Sequence, residues 1–142
     1  MSDAFDLQRF IQAQDPVYER VCAELRAGDK STHWMWYVFP QLKQLGRSST
    51  ARFYGLSGIE EARAYWAHSV LRPRLKECTA LVLGVDAGRS AHDIFGSPDD
   101  LKFRSCVTLF RNVAPVEPVF QAALDRFYGG AGDAATLALL AS

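Results

Sequence analysis

His33 to Gly46 read HWMWYVFPQLKQLG: two Trp, a Tyr, a Phe, a Met, a Val and two Leu surround one His, one Pro, one Lys and two Gln. Read as a helix opening at Ser31 or Thr32, the stretch is apolar on nearly every side, and a helix apolar all round is buried all round. It is expected at the centre of a helical fold. Pro40 should end it near Phe39, because proline lacks an amide donor and restrains the residue before it.

Outward from this stretch the chain keeps helical period. Upstream, Leu7, Phe10, Ile11 and Gln14 share one face. Asp15 and Pro16 read as the cap and first position of a second helix, where Tyr18, Val21, Cys22 and Leu25 repeat the spacing up to Gly28. Downstream, Ser48 to Tyr54 offers a short helix, and Ser57 with Glu60 a capping box that opens a helix bearing Ile59, Ala62, Arg63 and Trp66. Ser69 to Leu83 gathers Val70, Leu71, Leu75, Cys78, Leu81 and Val82 on one side, and Ser90 opens a brief turn to Phe95.

SPDD, residues 97–100, reads as Ser97 at the N-cap, Pro98 at the first helical position and two carboxylates on the helix dipole. Phe103, Cys106, Val107 and Phe110 should then point inward. Beyond Pro115, Val119, Ala123 and Phe127 carry a last long helix, before GGAGD and a terminal apolar turn. No segment alternates with period two for long. The expected fold is all-α, a single domain over residues 1–142 built as an irregular array of about seven to nine short helices.

Sixteen Lys and Arg balance sixteen Asp and Glu, so no long-range field favours nucleic acid or an anionic membrane, although a local basic patch stays open. Cys22, Cys78 and Cys106 are odd in number, far apart and set among apolar neighbours, which suits reduced thiols in the cytoplasm. The start, MSDAFDLQRF, has neither a basic nor an apolar run, and no stretch of eighteen apolar residues follows; neither secretion nor membrane spanning is expected.

The common catalytic motifs are missing. His33, His68 and His92 lack a ligating partner one turn away and no Cys-x-x-Cys occurs, so no metal site and no cofactor are expected. YGGAGD lacks the Lys-Ser/Thr of a phosphate loop and reads as a turn, and Ser49, Ser57 and Ser105 sit in no nucleophile elbow. Polar residues inside apolar faces say more. Arg74 lies within the stripe of Val70, Leu71, Cys78 and Leu81, where a guanidinium needs an anion: an internal acid such as Asp99 or Asp100, or a ligand phosphate or carboxylate. Lys102 stands one turn from Asp99, placed either for an ordinary salt bridge or for the same polar cluster as Arg74. On the opening stretch His33, Trp36, Tyr37 and Pro40 share one helical side and Gln41 follows. Such aromatics form either core or the wall of a pocket in which Trp and Tyr stack a ring, Gln41 reads its edge and His33 moves a proton.

HWMWYVFPQ, the following LGRS, HSVLRPRL, IFGSPDDLKFRSCVTLF and the closing GDAATLALL together resemble the signature blocks of the bacterial family of unknown function numbered 1810, often mislabelled calpastatin. The resemblance spans nearly the whole chain and implies a mainly helical fold. His33, Gln41, Ser48, His68, Arg74, Asp99, Lys102 and Ser105 match its polar positions. Ser69, Arg72 and Cys106 stand where the family usually has Pro, Gly and Met, and Gln44 where it has Gly. The calpastatin label has no support in the composition: that inhibitor's repeats are disordered, whereas 49% hydrophobic residues build a core.

Two functional readings follow. In the first, a small anionic ligand, a nucleotide or ADP-ribose-like molecule, binds a polar pocket. Arg74 and Lys102 meet its anionic part and Trp36 or Tyr54 its ring, with Gln41, Ser48, His68 and Ser105 as further binding residues. His33 and Asp99 are the proton-transfer candidates should the ligand be hydrolysed. In the second, the chain is a non-enzymatic protein-interaction module. Its internal polar residues are struts, and an outer face such as Arg104, Thr108 and Arg111 meets an undefined protein partner.

Overall fold

In the computed structural model, which describes residues 4–142, the fold is built around one long helix. Phe103, Cys106, Val107 and Phe110 of that helix, Asp99–Val113, are fully buried. Phe103 stacks on Phe95 at 4.8 Å and meets Phe39 edge-on at 5.0 Å, while Phe110 packs against Tyr65, Trp66 and Phe120. Edge-to-face and offset contacts of this kind lock a core more firmly than area burial alone.

Ten α-helices occur among the described residues, one more than the sequence suggested. They are α1 (Gln8–Gln14), α2 (Tyr18–Ala27), α3 (Met35–Val38), α4 (Ser49–Phe53), α5 (Ile59–Ala67), α6 (Leu71–Leu83), α7 (Ala91–Phe95), α8 (Asp99–Val113), α9 (Pro118–Tyr128) and α10 (Ala134–Ala141). A 3-10 turn at Lys43–Leu45 lies between α3 and α4. The all-α expectation holds. The extra helix is the terminal apolar turn, which Asp133 converts into α10 by accepting from the Thr136 amide and hydroxyl. The expected domain's first residues, Met1–Asp3, lie outside the described ones. Among the described residues no helix is long and apolar enough to cross a membrane, and Cys22, Cys78 and Cys106 are buried free thiols.

Three helix starts differ from the sequence reading, two of them because the expected capping side chain has another partner. Asp15 does not cap α2, which opens after Val17; its carboxylate takes the Arg74 guanidinium at 2.8 Å. Glu60 does not form the capping box with Ser57, because it pairs with Arg63, and the neighbouring Glu61 accepts from the Ser57 amide at 2.8 Å. Ser97 does not cap α8, because Pro98 itself stands at the N-cap. On α9 the deepest residues are Phe120, Ala123 and Leu124, with Val119 and Phe127 at the margin.

The opening stretch departs most. Only Met35–Val38 is helical, and residues 31–34 are bent away from helix by Glu24 of α2. One buried carboxylate accepts the Ser31 amide at 2.8 Å, the Thr32 amide at 3.0 Å, the Thr32 hydroxyl at 2.6 Å and the Trp34 indole N–H at 3.0 Å. The stretch is thereby divided: Trp34, Met35, Val38 and Phe39 are core, while Trp36 and Tyr37 stay half-buried and His33 is exposed.

Burial by itself would raise the Glu24 carboxyl, but the bonds from Thr32, Trp34 and Ser31 outweigh it and hold it at about 2, below its ordinary 4.5. Because the folded-state value is the lower one, the stabilisation is whole above pH 4.5 and is lost as pH falls from there through about 2. Urea unfolding at stepped pH should show wild-type stability dropping across that window. Glu24→Gln should be about 2 to 3 kcal/mol less stable at neutral pH, with a shallower acid drop than wild type. Equal slopes in the two proteins would show that Glu24 does not carry the effect.

Candidate functional site

Between Phe39 and Ser57 the chain folds back on itself, and the turn-back builds the wall of a cleft. Pro40 ends α3, and two hydrogen bonds join the segments that leave and return: Leu56 N–H to the Gln41 carbonyl at 2.9 Å, and Lys43 N–H to the Leu56 carbonyl at 2.8 Å. This isolated parallel bridge, Leu42 with Leu56, fixes Gln41. Gly55 permits it, since a Cβ there would lie 2.5 Å from Lys43 Cα. Ser48 then caps α4 by accepting from the Ala51 amide at 3.0 Å.

Opposite stand the first turns of α8, and the start of α10 closes one end. The resulting cleft holds about 450 Å³, within the range of small-ligand sites. Gln41, Ser48, Lys102 and Ser105, four of the residues marked from sequence, line it together. Gln41 also reaches a narrow slot alongside, lined by Trp36 and Tyr54 with Lys102 between. Among the described residues the Gln41 side-chain amide has no hydrogen-bond partner, so its donor and acceptor are both available. Ser105, almost fully buried, donates to the Leu101 carbonyl and keeps its oxygen lone pairs.

Lys102 is held in place rather than free. Its ammonium lies 5.4 Å from the Trp36 ring centroid and 3.6 Å from Asp99 Oδ1. Asp99 is bound more tightly to Lys30, at 2.8 Å from Oδ2, and Lys30 in turn sits over the Trp34 ring. The ordinary i, i+3 salt bridge read for Asp99 and Lys102 is therefore present, shared with a second, nearly buried cation. Asp99 thereby orients Lys102 but does not itself line the cleft.

The other marked residues lie elsewhere. Arg74 does not join Lys102, and neither Asp99 nor Asp100 is its partner: it bonds Asp15 at 2.8 Å and Gln14 at 3.3 Å, with its guanidinium 4.9 Å from the Tyr18 ring centroid. Gln14 also donates to the Tyr37 carbonyl and the Tyr65 hydroxyl, so this cluster ties α1 to α3, α5 and α6. His68 accepts the Val70 and Leu71 amides at Nδ1 and so caps α6. His33 is exposed and lines neither cleft nor slot. Of the aromatic stretch, Trp34 is core, while Trp36 is half-buried and lines the narrow slot of about 10 Å³ rather than the cleft.

Two cleft residues lie within the quoted blocks LGRS and GDAATLALL but were not marked as site residues. Arg47 follows Gly46 on the rim, and Asp133 looked like the end of a glycine turn. Asp133 Oδ2 is engaged in the α10 cap, while Oδ1 has no hydrogen-bond donor among the described residues. The outer face suggested for a protein partner is tied down instead. Arg104 donates to the Ala131 carbonyl, Thr108 accepts from the Asp133 amide, and Arg111 bonds Gln121.

The family model described as "Protein of unknown function (DUF1810)" matches residues 4–140. The chain is 55% identical to the conserved hypothetical protein Rv1873 from Mycobacterium tuberculosis, over 99% of each chain, and superposes on its crystal structure with a TM-score of 0.96. No curated protein matches.

Three substitutions test this geometry. Trp34→Ala should cost about 3 to 5 kcal/mol, the range of buried aromatic truncations, and Trp36→Ala clearly less, both read by chemical unfolding; equal losses would place Trp36 in the core. Gly55→Ala must push Lys43 away and should cost about 1 to 3 kcal/mol, with amide exchange accelerated at Lys43 and Leu56. Unchanged protection there would mean that the bridge does not set the wall.

Proposed function

This chain belongs to the DUF1810 family, whose description is that of proteins of unknown function, and from that premise we propose that its cleft binds a small anionic ligand of the nucleotide or ADP-ribose type. The reading takes residues 1–142 as one domain acting in the cytoplasm. The phosphate meets Lys102 and Arg47, the ring lies against the apolar wall of Leu45, Ala51 and Leu101, and Gln41 reads its polar edge. Ser48 and Ser105 offer hydroxyls. One observation carries this: an unpartnered Gln41 amide and an oriented Lys102 ammonium face the same space of about 450 Å³. Groups that serve only as struts have their hydrogen bonds filled within the chain, as Gln14 does.

Where the ligand is hydrolysed, the general base in this reading is Asp133. It is the carboxylate on the cleft wall, and Oδ1 remains open to take a proton from water. Asp99 positions Lys102, and His33 has no part.

A melting series with AMP and ADP-ribose tests the proposal, because a ligand that binds only the native state raises the melting temperature. Both should raise it, and Lys102→Gln and Arg47→Gln should each reduce the shift. Asp133→Asn keeps a good helix cap and should keep both fold and binding while removing any hydrolysis of ADP-ribose. No shift with either nucleotide at millimolar concentration would sink the reading.

A further inference from the structure

Between Asp29 and Glu60 the sequence has no carboxylate, yet it carries Lys30, Lys43, Arg47 and Arg52. The remaining residues hold twelve Lys and Arg against all sixteen acids, so a chain of zero net charge folds with positive charge gathered on one segment. Lys30 is neutralised by Asp99. Lys43, Arg47 and Arg52 are exposed, and among the described residues none of them forms an ion pair.

These three cations surround Gly46. Arg47 faces the cleft described above. Across Gly46 lies a second hollow of about 470 Å³, lined by Lys43, Gln44, Arg52 and Ser57. It runs into a third, which Lys43 and Arg52 share with Phe5 and Phe53. Gly46 belongs to both the cleft and the second hollow. A Cβ on it would stand 2.9 Å from that of Ala51, so only glycine packs there, and the residue between the two spaces has no side chain.

Phe53 is 58% exposed, with its edge against Tyr54 at 4.9 Å. A solvent-facing aromatic ring beside two unpaired cations matches the two halves of a nucleoside phosphate, since bases stack on aromatic faces and phosphates seek Lys and Arg. The nearby acids oppose this little. Glu61 has one oxygen on the Ser57 amide and the other on Arg9, and Asp6 lies at the far end beside Phe5.

We propose that this ledge is a second subsite, which receives the second nucleoside phosphate of a dinucleotide whose first half occupies the cleft. Lys43 and Arg52 hold the second phosphate of a pyrophosphate crossing Gly46, and Phe53 stacks the second ring. The proposal rests on the nucleotide reading of the cleft and narrows its ligand from a mononucleotide to a pyrophosphate-linked pair.

Calorimetric titration of the full chain with AMP, ADP-ribose and the symmetrical dinucleotide AppA tests it, because the three add in turn a first nucleotide, a second phosphate and a second ring. ADP-ribose should bind about tenfold tighter than AMP, which is about 1.4 kcal/mol, and AppA tighter again. Lys43→Gln with Arg52→Gln should bring ADP-ribose down to the AMP affinity, and Phe53→Ser should bring AppA down to that of ADP-ribose, both leaving AMP binding unchanged. All three positions are exposed, and circular dichroism confirms that each variant is folded. AMP bound at the cleft with no gain for AppA, or a gain that survives the ledge variants, overturns the second subsite and leaves the cleft reading standing. Failure of all three probes to bind overturns both.

Discussion

Everything near the site depends on one buried carboxylate. Left to local propensity, residues 31–39 would extend as a single apolar helix, with Trp34 and Trp36 on faces far apart and both sunk in the core. Glu24 prevents this by collecting two amides, a hydroxyl and an indole N–H from a four-residue span. A buried charge is tolerable only when donors saturate it, so the span must bend to supply them. The bend shortens the helix to Met35–Val38 and leaves Trp36 at the margin, where its ring meets Lys102. The same span carries Lys30, whose bond to Asp99 draws it onto the first turn of α8. The carboxylate thus sets core and cleft together.

Helical period made the fold legible, because burial on one face leaves its mark at every turn. The inward row of α8 is as the spacing of Phe103, Cys106, Val107 and Phe110 required. Helix starts were less legible for a common reason: a capping residue declares what it can accept, not what reaches it first. Asp15 and Glu60 have the right chemistry for caps, but Arg74 and Arg63 claimed them from other turns. His68 shows the reverse, a residue marked for ligand binding whose ring nitrogen serves two backbone amides of α6. Single-sequence reasoning has no access to the first of these competitions, since Asp15 and Arg74 lie 59 residues apart, while the Glu60–Arg63 and His68–Leu71 bonds each span three residues and turn on local geometry.

The candidate site was half legible. Gln41, Ser48, Lys102 and Ser105 were marked because they interrupt apolar runs or match family blocks, and they do meet. Arg47 and Asp133 were missed because a rim residue after glycine and a cap before an apolar helix are unremarkable in a linear sequence. They become neighbours only when the bridge between Leu42 and Leu56 brings the α3–α4 segment against α8 and α10. The basic segment was hidden by averaging, since a net charge of zero says nothing about where the charges lie.

Placing a polar residue among apolar ones singled out both Arg74 and Gln41, and the two belong to different classes of device. Saturation separates them. Arg74 is matched by Asp15, Gln14 and the Tyr18 ring, and Gln14 shares its remaining hydrogens with Tyr37 and Tyr65, so the cluster is engaged chiefly in joining α1, α3, α5 and α6. Every fully buried side-chain nitrogen and oxygen among the described residues is likewise partnered. Gln41 is half-buried and unmatched in a wall otherwise fixed by backbone bonds, which leaves its hydrogen-bonding capacity directed into the cleft. A strut fills its valences inside the chain, while a recognition group keeps them open on a rigid support. By that criterion the site proposed for the ligand belongs on the carboxylate-free turn-back around Gly46 and not at the more conspicuous arginine of α6.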